Sequence, residues 1–263
     1  MPSTSTSDPL VRLNQVNLVF YTDVYRPRTW REVFTRMTSN PIDFLGSSPD
    51  RLHVVRNVSF EIKKGERVGI LGVNGAGKTS LCRCIAGMYH PTTGTIETAG
   101  NVRAIFEPGI GVVPELTGRE NGDLLAHLLF PGDPARESIV KEALDFSELG
   151  EFLDISYKYY SKGMQARLSL SLVSAKPCDV LILDEVFDGA DLFFKEKLSK
   201  RVLKMIKESG AVLFISHSPD QIREVCNRVL VMHHGRIEFD GPVAEGVDRY
   251  RNLNPSGKMS VEG

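Results

Sequence analysis

Gly72-Val73-Asn74-Gly75-Ala76-Gly77-Lys78-Thr79 is the stretch on which the reading of this chain turns. It fits G-x-x-x-x-G-K-[ST], the pattern of a loop that wraps phosphate groups. Arg67-Val68-Gly69-Ile70-Leu71 before it reads as a buried strand, and Ser80-Leu81-Cys82-Arg83-Cys84-Ile85-Ala86 after it reads as a helix. That setting is what the pattern needs. Glycines let the backbone turn tightly enough to aim its N–H groups inward, and the helix N-terminus adds partial positive charge. Gly72, Asn74, Gly75, Ala76, Gly77, Lys78, Thr79 and Ser80 are therefore assigned to a nucleoside triphosphate, with Lys78 reaching the β- and γ-phosphates and the Thr79 hydroxyl ligating Mg2+.

The bulk properties leave room for this and close off other classes. The 263 residues suffice for one large domain or two small ones. A hydrophobic content of 41% with 25% charged residues is that of an ordinary globular protein. A net charge of −1 gives no electrostatic case for a nucleic-acid partner. No apolar run approaches a membrane span, and the polar start from Met1 to Pro9 reads as a disordered N-terminus rather than a secretory signal. Cys82, Cys84, Cys178 and Cys226 show no metal-binding spacing; Cys82 and Cys84, two apart on a helix, point to different faces. They read as buried, reduced thiols of a cytosolic protein.

Along the chain, Val11 to Tyr21 reads as a strand with Val16, Leu18 and Phe20 alternating, and residues 53–62 as a second, joined by the Lys63–Glu66 turn to the strand before the phosphate loop. Residues 23–52 form an insertion in which Trp30, Val33, Phe34 and Met37 fall at helical spacing, flanked by Arg26, Arg28, Arg31 and Arg36. From Thr117 to Ala175 the pattern is helical, opened by the capping box Thr117-Gly118-Arg119-Glu120. Val180–Leu183 then precedes a helix over 192–209. Ala211–Ile215 precedes another, with Ser218 as N-cap, Pro219 at N1 and Gln221 at N3. Residues 229–232 and 236–239 close as a hairpin around His234-Gly235, and the polar tail over 252–263 reads as loose. Continuous apolar strands alternating with helices argue for a mostly parallel sheet covered on both faces, with the segment over 117–175 as an attached helical lobe.

Two further strand ends carry chemistry. Asp184 and Glu185 stand at the C-terminal end of a buried strand, where doubly wound sheets place their ligands. Asp184 is positioned to hold the Mg2+ hydration shell, and Glu185 to act as general base on the attacking water. Ile215-Ser216-His217 ends the next strand at the same edge, where His217 can donate a hydrogen bond to the γ-phosphate.

Tyr160-Ser161-Lys162-Gly163-Met164-Gln165, running into a helix, resembles the signature of ABC ATPases, usually Leu-Ser-Gly-Gly-Gln. Pro114-Glu115-Leu116-Thr117-Gly118-Arg119-Glu120-Asn121 and Asp184-Glu185-Val186 with Asp191 downstream narrow the likeness, which covers about residues 11 to 250. The chain looks like the ATP-binding subunits of bacterial polysaccharide exporters, those of lipopolysaccharide O-antigen, capsule and wall teichoic acid.

The resemblance implies an α/β fold of the P-loop NTPase, ABC ATPase type: a mostly parallel core sheet, an antiparallel β part and a helical signature lobe, with one nucleotide-binding domain over 11–251. It implies a head-to-tail homodimer in which Tyr160, Ser161, Lys162, Gly163 and Met164 face the partner's ATP and Asp191 lies in a dimer-contact loop. ATP and Mg2+ are the implied cofactors. Two integral-membrane permease subunits are the implied partners, carrying the polysaccharide, at the cytoplasmic face of the bacterial inner membrane.

Three departures stand out. Glu107 occupies the place of the usual linking Gln, leaving its role as a metal ligand open; Lys162 and Met164 replace Gly and Gln; and Phe187-Asp188-Gly189-Ala190 differs from the usual small apolar residues. The base-stacking aromatic is Tyr21, with Phe20 and Tyr25 as alternatives. The insertion helix either covers a sheet edge or lies at the membrane interface beside the permease. Other readings of the whole are a soluble ABC ATPase acting on ribosomes or DNA, an ABC subunit for another cargo, and a nucleotide-gated module without turnover.

Overall fold

A computed structural model describes residues 8–22, 50–106, 111–184, 192–216 and 218–253. The expected insertion helix, Tyr25, Glu107, Glu185, Asp191 and His217 lie outside these residues, as do the N-terminal segment before Asp8 and the tail after Leu253.

Alternation along buried strands builds the centre. In order along the chain these are β3 (Arg67–Leu71), β5 (Val102–Ile105), β6 (Val180–Asp184), β7 (Ala211–Ile215), β8 (Arg228–His233) and β9 (Arg236–Gly241). They form one six-stranded sheet in the order β5-β6-β7-β3-β8-β9, parallel except for β9, which runs antiparallel to β8. Val68, Ile70, Ile182, Leu213 and Ile215 point to one face; Leu71, Leu181, Leu183, Val212 and Phe214 point to the other. Both sets are buried, which is why these strands read as unbroken apolar runs.

The first face is covered by α1 (Lys78–Ile85) and a three-stranded antiparallel sheet, in which β1 (Val11–Thr22) lies between β2 (Asp50–Ile62) and β4 (Thr93–Thr98). Along β1 the buried set switches from Val11 and Leu13 to Val16 and Leu18. The switch follows a bulge: Gln15 adopts φ 49°, and the register with β2 breaks between Leu13 and Val16. One extra residue moves every later side chain to the opposite face. Cys82 and Cys84 both enter this core, because α1 is enclosed in the cluster that the two sheets share. All four cysteines are free thiols; Cys82 and Cys84 are buried as expected, whereas Cys178 and Cys226 are only half-buried.

α5 (Leu192–Glu208), α6 (Pro219–Val225) and α7 (Val243–Leu253) cover the second face. Ser218 caps α6 and Pro219 occupies its first turn, as the sequence predicts. The lobe is α2 (Gly118–Leu129), α3 (Arg136–Ser147), two 3-10 turns (Gly150–Asp154 and Tyr157–Tyr159) and α4 (Lys162–Val173). It has its own core around Leu125, Leu144, Tyr157 and Leu168. α4 joins lobe to sheet: Leu168 and Leu172 pack into the lobe, while Ala166 and Leu170 pack on the six-stranded sheet. An apolar cavity of about 280 Å3, lined by Met88, Phe106, Leu125 and Leu128 among others, lies where lobe and sheet meet.

Candidate functional site

The parallel strands end together. Ile70 of β3 pairs with Ile215 of β7, and Ile215 pairs with Asp184 of β6. One row across the sheet therefore places the start of the phosphate loop, the Ser216 edge and the Asp184 carboxylate at the same C-terminal rim, the place where open α/β sheets bind ligands. Asp184 is half-buried at the end of a strand otherwise fully buried.

Backbone geometry shapes the loop. Gly77 caps α1 in the left-handed region at φ 99°, and Gly75 takes φ 76° with open space around it. Gly72 lies so close to β8 that a Cβ there would stand 2.4 Å from the Met232 carbonyl oxygen. A Cβ on Gly77 would stand 2.5 Å from the Val54 carbonyl oxygen. The β8–β9 turn closes the back of the loop: the Gly235 N–H donates to the Ala76 carbonyl at 3.1 Å, and the Gly235 carbonyl accepts from Arg56 N–H at 2.8 Å. Val54, Met232 and Gly235 thus hold the loop from behind. Sequence reasoning missed them, although His234-Gly235 signals the turn itself.

The Lys78 ammonium is buried and donates to the carbonyls of Gly72 at 2.8 Å and Val73 at 3.2 Å, folding across the loop it serves. Asn74 and Gly75 are exposed; Thr79 and Ser80 are half-buried in the first turn of α1. Behind them, burial pushes the Cys82 thiol well up. The Asp184 and Cys84 charges push it the same way, and Lys78 opposes them. Asp184 and the loop that carries Lys78 share the C-terminal rim through the pairing of Ile70 and Asp184 with Ile215.

A triphosphate with Mg2+ fits this donor set. The loop supplies N–H groups around an open glycine and a buried ammonium, the arrangement that receives phosphate oxygens. Thr79 and Asp184 would hold the metal through a hydroxyl and a carboxylate, hard oxygen donors that suit Mg2+.

The segment expected to face a partner's nucleotide is built differently at its two ends. Ser161 is the N-cap of α4; its Oγ accepts from Met164 N–H at 3.2 Å. Ser161 and Lys162 are exposed and Gly163 and Met164 half-buried, so this helix end faces outward. Tyr160 does not. Its ring is buried against Tyr157 with centroids 5.2 Å apart, and its hydroxyl donates to the Phe152 carbonyl at 2.6 Å. Tyr21 is exposed near the end of β1, with the Arg51 guanidinium 5.6 Å from its ring centroid. Phe20 instead packs edge-on to Tyr89 at 5.6 Å.

The Pro114–Asn121 stretch shapes the lobe. Thr117 and Glu120 form a complete capping box. Asn121, fully buried, accepts from Val113 N–H at 2.8 Å and donates to the carbonyls of Val113, Leu116 and Thr117.

Comparison with known proteins agrees with this geometry. A family model described as ABC transporter matches residues 55–188. The O-antigen export system ATP-binding protein RfbB of Klebsiella pneumoniae is 37% identical over 197 residues, 75% of this chain and 80% of that protein. RfbE of Yersinia enterocolitica, of the same description, is 39% identical over 69% of this chain and 76% of its own length. The teichoic acids export ATP-binding protein TagH of Lactococcus lactis is 36% identical over 76% of this chain but 42% of its own length. Among solved structures, the dimeric post-hydrolysis cassette MJ0796 bound to ADP and phosphate superposes with a TM-score of 0.66, covering 89% of this chain and 98% of that one at 19% identity. The phosphate loop, the Asp184 rim and the Ser161-capped helix therefore belong to an ATPase subunit, and the chain is a member of the ABC transporter family.

Proposed function

We propose that this chain is the ATP-hydrolysing subunit of an exporter that moves a lipid-linked polysaccharide across the bacterial cytoplasmic membrane. The observation that carries this is the 37% identity spanning 80% of a Klebsiella O-antigen export subunit. RfbB, RfbE and TagH are each described as export ATP-binding proteins, which favours export over action on ribosomes or DNA. Two copies associate head to tail and dock on membrane permease subunits at the cytoplasmic face. Among the described residues no helix is long and apolar enough to cross a membrane, consistent with a separate pore.

Each residue has a role in this reading. The loop N–H groups and Lys78 bind and orient the β- and γ-phosphates; Tyr21 stacks on the base. Thr79 and Asp184 hold Mg2+, which when bound neutralises phosphate charge. Glu185 takes a proton from the attacking water, and His217 donates to the γ-phosphate. Ser161 and the N–H groups after it face the γ-phosphate held by the partner copy, with Asp191 at the contact between copies. In-line displacement then releases phosphate and removes the charge that holds the two copies together.

Purification of the chain with its permease from membranes tests the assignment. A lipid-linked glycan that co-purifies and raises ATP turnover supports it. A complex whose turnover responds to no glycan, or a chain that isolates with ribosomes or DNA, defeats it.

A further inference from the structure

We infer that Gly118 and Asn121 are positioning residues for Ser161: together they fix where the partner-facing end of α4 stands. This rests on the reading that Ser161 meets a nucleotide held by a second copy.

The chain before α2 and the chain before α4 run antiparallel as a short splint. Tyr157 N–H donates to the Leu116 carbonyl at 2.8 Å, Lys158 N–H to the Pro114 carbonyl at 2.9 Å, and Gly118 N–H to the Ile155 carbonyl at 3.3 Å. An isolated bridge pairs Thr117 with Ser156. Asn121 stiffens the first strand of this splint: its amide oxygen accepts from Val113 N–H and its NH2 group is shared among the carbonyls of Val113, Leu116 and Thr117. A buried amide satisfied at both ends fixes one backbone conformation and penalises others.

The splint leads into Tyr160, the residue before the cap, whose N–H donates to the Tyr157 carbonyl at 2.9 Å. A Cβ on Gly118 would stand 1.9 Å from the Tyr160 hydroxyl oxygen and 3.0 Å from the ring carbon bearing it. The missing side chain at 118 is thus a notch that receives the hydroxyl, which the Phe152 carbonyl then holds at 2.6 Å. On the other side the Tyr160 carbonyl accepts from the Gln165 side chain at 3.3 Å, tying the same residue to α4. A shift of Tyr160 therefore carries Ser161 with it, while the phosphate loop, on another element, stays in place.

A part that only stabilised the lobe would affect all properties together; a positioning part separates them. The full chain carrying Glu185→Gln, which removes the proposed general base and is expected to retain ATP, serves as parent. Affinity for a fluorescent ATP analogue on dilute protein reads the chain's own loop, and sedimentation with MgATP reads association of two copies. Gly118→Ala is expected to leave nucleotide affinity within about twofold and to weaken ATP-driven association about tenfold or more, a change of about 1.4 kcal/mol. Adding Tyr160→Phe removes the closest contact but keeps the ring carbon at 3.0 Å, so it should bring association most of the way back toward that of Tyr160→Phe alone, itself about threefold below the parent for one lost hydrogen bond.

Parent-like association of Gly118→Ala overturns the inference, as does a double variant as weak as Gly118→Ala. If Gly118→Ala does not fold, Tyr160→Phe alone decides, and parent-like association there overturns the inference too. A parent that stays monomeric in MgATP overturns the two-copy reading itself, and this inference with it.

Discussion

The Met232 carbonyl oxygen stands 2.4 Å from where a Cβ on Gly72 would lie, so the first glycine of the phosphate loop is fixed by a neighbouring strand as much as by the phosphates it serves. Gly75 differs: it needs its positive φ of 76° but has open space around it.

The two glycines should therefore respond differently to alanine. Gly72→Ala must push the loop off β8, at a cost of about 1–3 kcal/mol from overpacking, with ATP affinity falling at least about tenfold. Gly75→Ala pays only for left-handed backbone, about 1–2 kcal/mol, and meets no neighbour. Thermal melts and nucleotide titration of both variants check this. Equal loss of affinity with no loss of stability in Gly72→Ala would show that β8 does not brace the loop.

Far from the loop, Arg228 is a charge hub at the opposite ends of the strands. It grips Asp240 through two hydrogen bonds of 2.6 Å, meets Glu66 at 3.1 Å and donates to the Glu61 carbonyl at 2.9 Å. The Asp240 hydrogen bond is the main reason its guanidinium is held above its ordinary value. Arg228→Ala leaves the Asp240 carboxylate without its guanidinium and Glu66 with only the Lys63 N–H among the described residues, and should cost about 2–3 kcal/mol, the range for breaking such a pair scaled to partial exposure. For a chain of this size that is about 4–10 °C in melting temperature. ATP affinity should stay within about twofold, since Arg228 pairs with Val68 at the start of β3, away from the ligand rim.

The phosphate loop, β6, β7 and the Ser218 cap were legible because each is written in a few adjacent residues. β4, Thr93–Thr98, was not: its side chains are mostly exposed and its place is set by pairing with β1. α3 has Ala135 at its N-cap position, and an alanine side chain cannot cap, so no capping residue marks its start. The bulge at Gln15 and the bracing of the loop by Val54, Met232 and Gly235 depend on partners far along the chain. The same holds for Tyr160, whose burial follows from a notch at Gly118 that sequence spacing does not reveal.

The capping box gives a pH signature. The Glu120 carboxylate accepts from Thr117 N–H and the Thr117 hydroxyl, both at 2.8 Å, and the backbone bond is the larger cause of its lowered pKa. A depressed folded-state pKa stabilises the fold above the ordinary value near 4.5, and that stabilisation is lost as pH falls through the folded value. Glu120→Gln, which cannot ionise, should melt below the wild type at pH 7, with the gap closing once the pH drops below about 4.5. A gap that is constant from pH 7 to pH 3 would assign the effect to packing instead of charge.

The thiols report on how tightly the sheet is covered. Burial raises the pKa of Cys84 to about 11 and of Cys226 to about 12, and it pushes Cys178 up and Cys82 well up. Only the thiolate reacts with alkylating reagents, so at pH 8 Cys84 presents about one part in a thousand of reactive form and Cys226 less. Cys226 is held by close packing: its sulfur lies 3.2 Å from where a Cβ on Gly69 would stand, beside Ile222 of α6. Mass-spectrometric mapping with iodoacetamide at pH 8 should find Cys82, Cys84 and Cys226 protected in the native protein and labelled in urea. Fast native labelling of Cys226, with Cys82 still protected, would mean that α6 opens from β3 on its own. The rim at Ser216, joined to α6 through the 2.6 Å hydrogen bond to Gln221, would then move with it.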